Sequence, residues 1–473
     1  MLEFTYSIIH EKSVIRIIKI LEIMDNGQKL VHAKSLANNL KCSVRTISND
    51  VSQLKRDIPK NWEIVSVKTK GYILMKPITE SIFPVIKLYL IESVIYKVML
   101  GIFNNKYYTL EKWSQILFMN KLTLKNHMKK HIKMLRKSKL DIGFREVQLK
   151  GEELNIRYYY HAFFYNTQKY TNELLLPIEL RKEISSILQH SKVRVDFEKL
   201  CTILFVAISR LFHKHYIKDG IKTYQIYDYN QSRCFDEIVN IIEDYYKIKF
   251  PENERDALYN FLFLASNFTD VQSELAITYL KGSEPNEYKK FLILIDILIT
   301  KNNVRIDKRE KLTIILGAVF YKSLIHNRYN LSTGFFWDAL KSTQNILLKN
   351  YKKNKSIVSL WNKTYNNRQF SQDEIHFFST YATATINLYT KKLDVLLLFR
   401  GTEVEKLIIH STLASNLGDS VQVHGVSRGN IKYDFIITNY QPLKNEVSTI
   451  YFSGELTESD IHAIKNRIFN LSL

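Results

Sequence analysis

Cysteine, glycine and proline are scarce in these 473 residues, at three, 14 and seven respectively. Cys42, Cys201 and Cys234 are too few and too scattered to staple a disulfide framework or to supply the paired spacings of a zinc site. So little Gly and Pro leaves no flexible or stiff linker, and the domains are expected to adjoin through helices. Long uncharged apolar runs are missing too. The most membrane-like segment, IFPVIKLYLIESVIYKVMLGIF (82–103), carries Lys87, Glu92 and Lys97 at helical intervals, which predicts a buried or bridging helix rather than a membrane span. The first residues, MLEFTYSIIHEK, lack the basic-then-apolar pattern of a signal peptide. Walker loops, HExxH and a convincing Ser-His-Asp arrangement are absent as well. These absences predict a cytoplasmic protein with no membrane partner, no metal, no cofactor and no catalytic residues.

What is there is an ordered, charged chain. Its 45% hydrophobic content is that of a folded protein, and its length exceeds one hydrophobic core, suggesting about three domains or more. The net charge is +21, and its distribution is lopsided. Residues 1–150 hold 27 Lys and Arg against 12 Asp and Glu, whereas the other 323 hold 41 against 35. A positive field confined to one end suits a polyanion, with counterion release supplying affinity. A generally Lys-rich proteome would explain a uniform excess better than this one.

Within the basic third lie two candidate helix-turn-helix units. In the first, SVIRIIKILEIM (13–24) predicts a helix and HAKSLANNL (32–40) a short second helix, with Leu36 and Leu40 inward. Lys41-Cys42 then makes a tight turn into a helix starting near Ser43, an N-cap by type. Val44, Ile47, Val51, Leu54 and Ile58 form its apolar stripe. Arg45, Thr46, Asn49 and Gln53 face out toward base edges, and Ser43 and Arg56 lie beside them. WEIVSVKTKGYILMK (62–76) alternates as two strands around a turn at Gly71, where positive φ is expected. Lys68 and Lys70 would lie at the tip of this wing, against phosphates. In the second unit, TLEKWSQILFMN (109–120) and LTLKNHMKKHIKMLRKSKL (122–140) are helices and LDIGFREVQLKGEEL (140–154) is wing-like. Leu124, Met128, Ile132 and Leu135 point inward, leaving Lys125, Asn126, Lys129, Lys130 and Lys133 outside. The first unit is therefore expected to read sequence and the second mainly to grip backbone. The competing readings are a solvated basic helix and a winged helix kept for dimerisation.

From about 160 to 390 the pattern is almost wholly helical, with a weak repeat. KLCTILFVAISRL (199–211) matches KLTIILGAVFYKSL (311–324), pairing Leu200 with Leu312, Leu204 with Leu316, Ala207 with Val319 and Arg210 with Lys322. FPENERDALYNFLF (250–263) matches FSQDEIHFFSTYAT (370–383), pairing Phe250 with Phe370 and Glu254 with Glu374. Two copies of a helical bundle fit the space. After 390 the period changes. LDVLLLF, SVQVHGV, YDFIITN and STIYFSG read as strands and 403–417 and 458–471 as helices, a small α/β unit with at least partly parallel strands. The loop RGTEVEK after its first strand leads into a helix, where an anion or nucleophile would sit, yet it holds no Cys.

This order of parts resembles the Mga/AtxA family of virulence regulators of Gram-positive bacteria, nearer the AtxA and capsule-regulator branch. The best local matches are KLCTILFVAISRL and LKGEELNIRYYYHAFFYN (149–166). The resemblance implies a mainly α, multidomain chain: a winged helix-turn-helix domain over 1–78, a second helix-turn-helix domain over 79–158, two all-α phosphotransferase-system regulation domains (PRDs) over 159–283 and 284–391, and a small α/β domain similar to enzyme IIB over 392–473. It implies a DNA-binding transcriptional activator of toxin, capsule or surface-protein genes, acting as a homodimer through its last domain, with double-stranded promoter DNA as partner and phosphotransferase-system proteins as further partners. PRDs are typically controlled through phosphorylated histidines. The matching positions here hold Ile203, Phe261, Ile315 and Tyr381, and a second alignment lands on Glu198, whose carboxylate mimics part of the charge of phosphohistidine. His376, near the Tyr381 position, is the candidate substitute, against its reading as an ordinary surface histidine. Phosphorylation control is thus expected to be weakened or lost. Two alternatives stay open: a PRD-containing RNA-binding antiterminator, which needs an all-β amino-terminal domain, and a sugar-phosphotransfer regulator or enzyme, which needs a Cys or His nucleophile in 400–406.

Overall fold

The computed structural model describes residues 3–27, 30–67, 70–191, 193–218, 229–265, 270–304, 306–336, 345–389, 392–418, 421–428, 431–440, 447–452 and 456–471. The chain splits into two compact units. One comprises residues 1–279, 321–338 and 370–374, the other 280–320, 339–369 and 375–473.

The first unit opens with α1 (Glu3–Ile9) and α2 (Lys12–Gly27), separated at His10, whose φ of 63° ends the first helix. Then come β1 (Val31–His32), α3 (Ala33–Leu40), α4 (Val44–Asp57), β2 (Glu63–Val67) and β3 (Gly71–Met75). The strands form one antiparallel sheet in the order β1-β3-β2, so the hairpin has a third strand that sequence alternation was too short to reveal. Gly71 does not adopt the expected positive φ. It is needed because β1 runs against it, and a Cβ there would collide with the Val31 carbonyl. Continuing, α5 (Phe83–Glu92) and α6 (Val94–Phe103) replace the single helix expected over 82–103. The break is at Ser93, whose hydroxyl caps α6 by accepting the Tyr96 N–H at 3.1 Å.

The second helix-turn-helix follows: α7 (Leu110–Ile116), α8 (Lys121–Leu135) and the two-stranded β4 (Asp141–Gly143) and β5 (Gln148–Lys150). Next is α9 (Glu153–Thr171), rich in aromatic residues and buried on nearly every side, polar residues such as Asn155, Arg157 and Asn166 included. It is the spine of this unit. Tyr159 meets Phe4 of α1 at 5.8 Å, Phe163 stacks on Tyr96 of α6 at 5.3 Å, and Phe164 lies edge-on to Phe205 at 5.1 Å. Against it pack α11 (Phe197–Phe212) and α13 (Glu252–Ala265), while α10 (Ile178–Ser191) packs with α12 (Tyr229–Tyr246) and the start of α14 (Asp270–Ser283) belongs to the same unit. Arg157 of α9 is 2% exposed, and four acceptors justify its charge: both oxygens of Glu254, Glu153 at 3.0 Å and the His215 carbonyl at 2.8 Å.

The second unit is built from α15 (Pro285–Lys301), the first part of α16 (Arg309–Arg328), α17 (Asn345–Thr364), most of α18 (Gln372–Tyr389) and an α/β end. Trp361 is fully buried, donates its indole N–H to the Lys290 carbonyl at 2.9 Å, and meets Phe320, which in turn meets Phe291. The repeat read from the sequence has matching burial. Leu200 and Leu312, Leu204 and Leu316, Phe250 and Phe370, and the polar pairs Arg210 with Lys322 and Glu254 with Glu374 are all buried.

The α/β end comprises β6 (Leu393–Leu398), α19 (Glu403–Leu417), β7 (Val421–His424), β8 (Phe435–Thr438), β9 (Thr449–Tyr451) and α20 (Glu458–Leu471). Its four strands are all parallel, in the order β7-β6-β8-β9. Ile409, Leu413 and Leu417 of α19 enter its core with Val395, Leu397, Ile437 and Ile464. No described helix is long and apolar enough to cross a membrane.

Candidate nucleic-acid interface

The first recognition helix starts at Ser43, whose hydroxyl accepts the Thr46 N–H at 3.0 Å and shares a hydrogen bond with the Thr46 hydroxyl at 2.8 Å. Ile47, Val51 and Leu54 bury against the unit, so the opposite face is exposed. Arg45, Asn49 and Arg56 lie on that face in water. Val44, expected in the apolar stripe, is 44% exposed, because it sits before the first inward turn. Gln53 is half-buried and engaged: its amide donates to Asp57 at 2.9 Å and accepts from Arg56. Gln53 is thus held by two partners, whereas among the described residues the Arg45 and Asn49 side chains make no hydrogen bond. Asp50 also lies on α4 but is buried, where it holds Arg16 of α2. That pairing has no sequence signature, because a charged residue in a helix reads as surface.

At the wing, Lys70 is exposed in the turn, and its carbonyl accepts the Ala33 N–H at 3.3 Å. Lys68 lies outside the described residues. On the second recognition helix, Asn126, Lys129, Lys130 and Lys133 are exposed, while Leu124, Met128, Ile132 and Leu135 are buried as their spacing predicts. Lys125 is half-buried, its ammonium 5.4 Å from the Phe144 ring centre. His131, an inward residue, is fully buried. It bonds the Ser7 carbonyl of α1 at 3.3 Å and the Tyr159 hydroxyl at 2.9 Å, and burial pushes its pKa down to about 4. This neutral histidine ties α8 to α1 and α9.

The positions matched to phosphorylated histidines are scattered in character. Ile203 and Phe261 are buried, Ile315 and Tyr381 half-buried, and none of the four side chains has a nucleophilic nitrogen. Glu198 is paired with Arg181 and accepts from Gln168 at 3.1 Å. His376 is half-buried, bonded through Nδ1 to the Tyr351 hydroxyl and through Nε2 to the Lys355 ammonium at 3.2 Å. At the α/β end, the amino terminus of α19 is closed by its own residues. Thr402 caps Glu405, and the Glu405 carboxylate accepts the Thr402 N–H at 2.7 Å, filling the place an anion would take. That carboxylate is held below the usual range by its bonds to Thr402.

Two helix-turn-helix units in tandem, each with a strand pair behind its recognition helix, define a multidomain protein with DNA-binding domains. Residues 79–164 match the model of the Mga helix-turn-helix domain, and residues 16–73 match that of an HTH domain. The chain is 23% identical over 457 residues to the capsule synthesis positive regulator AcpB of Bacillus anthracis, covering 90% of this chain and 92% of that protein. It is 22% identical over 515 residues to the anthrax toxin expression trans-acting positive regulator of the same organism, covering 97% and 98%. The resemblance to Mga/AtxA-type regulators is therefore borne out along most of the chain. Both relatives are named as positive regulators.

Proposed function

We propose that this protein is a homodimeric transcriptional activator of virulence genes, of the toxin, capsule or surface-protein kind, acting on double-stranded promoter DNA in the cytoplasm. The observation that carries this reading is α4, the Ser43-capped second helix of the helix-turn-helix, which presents Arg45 and Asn49 to solvent. Arg pairs guanine and Asn pairs adenine in the major groove. Ser43, Thr46, Gln53 and Arg56 flank them, Lys68, Lys70, Lys125, Lys129, Lys130 and Lys133 supply backbone contacts, and Asn126 is exposed among the lysines of α8. The names of the two relatives, both positive regulators, favour activation over repression.

In this reading the domains run 1–78, 79–158, 159–283, 284–391 and 392–473, the middle pair PRD-like and the last similar to enzyme IIB. Dimerisation through the last domain is supported by α19, whose Val404, Leu407 and Ile408 are each at least 60% exposed on the side away from its core. Control by phosphohistidine is weakened or lost, and Glu198, already paired with Arg181, stands as a fixed negative charge at one such position. Both ring nitrogens of His376 are engaged, Nδ1 by Tyr351 and Nε2 by Lys355, so a phosphotransferase-system partner would have to displace one of them before it could phosphorylate this residue.

The test is fluorescence anisotropy of the full-length protein on promoter fragments against random duplex, from about 50 to 200 mM salt. Tight, steeply salt-dependent binding with a preferred fragment supports the reading. A folded dimer that binds no duplex sinks it. Acid-labile phosphate found on a histidine in 160–390 would count against the loss of phosphorylation control.

A further inference from the structure

The two recognition helices are entered through the same turn. Lys41 and Phe118 both lie in the left-handed region, at φ 53° and 49°. Each N–H bonds the carbonyl three residues back, Lys41 to Asn38 at 3.3 Å and Phe118 to Gln115 at 3.2 Å. The next N–H in each case bonds five back, Cys42 to Ala37 and Met119 to Ser114, both at 3.0 Å. The residue after that is the N-cap, Ser43 or Asn120. Counting from the caps puts core on core: Ile47 with Leu124, Val51 with Met128, Leu54 with His131, all buried. The outward positions are thereby aligned as well. Thr46 meets Thr123 and Asn49 meets Asn126, the same residue types at the same places. Arg45 meets Leu122, and Lys41 meets Phe118.

Leu122 is 65% exposed and Phe118 97% exposed. No contact within the described chain explains a fully exposed phenylalanine in a backbone region that bulky side chains avoid. Around them Lys112 and Thr123 are exposed, Lys121 is exposed but paired with the exposed Glu111, and Lys125, Lys129, Lys130 and Lys133 follow along α8. An apolar edge set in a basic rim matches one surface of duplex DNA, the thymine methyl in the major groove beneath flanking phosphates.

We propose that the leading turn of α8 reads base edges as α4 does, with Leu122 and Phe118 selecting thymine through its methyl group and Asn126 bonding a neighbouring adenine. The proposal rests on the DNA-binding reading. Leucine offers no hydrogen bond to a G·C pair and would strip water from its polar edge, so exclusion adds to attraction. The composite site then has a guanine under Arg45 and an A·T step under Leu122.

The test uses the full-length protein and randomised duplex selection, followed by anisotropy on the selected site with deoxyuridine in place of thymine. Removing a methyl from the α8 half should weaken wild type about fourfold. The same change should weaken Leu122→Ala less than twofold. Leu122→Arg should move the selected base at that position to G·C and leave the Arg45 position unchanged. Equal uracil sensitivity in wild type and Leu122→Ala, with specificity through Arg45 intact, would overturn the proposal while sparing the DNA-binding reading. Phe118→Lys that keeps DNA selection but loses activation would assign Phe118 to a protein partner and remove it from the proposal. Binding to no duplex by any version would overturn both.

Discussion

Arg16 of α2 grips Asp50 of α4 with two nitrogens: Nε donates to Oδ2, and Nη2 lies 3.0 Å from Oδ1. Asp50 is 6% exposed, and the hydrogen bond that Arg16 donates to its carboxylate raises the Arg16 pKa above its ordinary value. Because the geometry is bidentate, the pair fixes the rotation of α4 about its axis as well as its position. That rotation sets the direction in which the exposed Arg45 and Asn49 face.

Asp50→Ala strands the partly buried Arg16 guanidinium. The expected cost is about 1–3 kcal/mol of stability, read from urea unfolding. DNA affinity should also fall while the fold is intact, and Arg16→Lys with Asp50 in place should keep only part of the wild-type affinity, since an ammonium cannot form both bonds.

Arg45→Ala should cost about 1–3 kcal/mol on the preferred duplex and little on random duplex, measured by anisotropy. Lys129→Ala with Lys130→Ala should weaken both duplexes alike and reduce the salt slope by about 2. Equal behaviour of the two variants at all salt concentrations would remove the division of labour between α4 and α8.

Stability should fall with acid. His131 titrates near 4 in the folded protein and His326 near 3, both lowered mainly by burial from 6.5. Below 6.5 the unfolded chain therefore binds protons that the folded chain refuses. Each group costs up to about 1.4 kcal/mol per pH unit until its folded pKa is reached. The urea midpoint should drop between pH 7 and 5, and His131→Phe should drop less steeply.

Gly71→Ala should disturb the wing, because the added Cβ meets the Val31 carbonyl across the β1–β3 pair. Amide exchange at Ala33, whose N–H bonds Lys70, should accelerate while exchange in α9 is unchanged.

Leu407→Asp with Ile408→Asp changes only exposed positions of α19. If this face joins two protomers, sedimentation should shift from dimer toward monomer with unchanged thermal stability of the α/β end. A dimer that persists would move the contact elsewhere.

Most elements were readable because their signal is local. Helical spacing put Ile47, Val51, Leu54, Leu124 and Met128 inside, and cap chemistry marked Ser43. The charge surplus of residues 1–150 pointed to a polyanion before any fold was known. What the sequence alone determined about this protein is therefore which segments form helices and strands, in what order, and which end is basic. Only the tertiary structure decided the rest. Gly71 is required by a strand forty residues earlier in the chain, Asp50 is an inward anchor because Arg16 meets it, and Gln53 is engaged by Asp57 and Arg56. The reason is physical: helix and strand periodicity act between near neighbours, whereas burial of a charge or collision with a distant carbonyl depends on which surfaces the folded chain brings together.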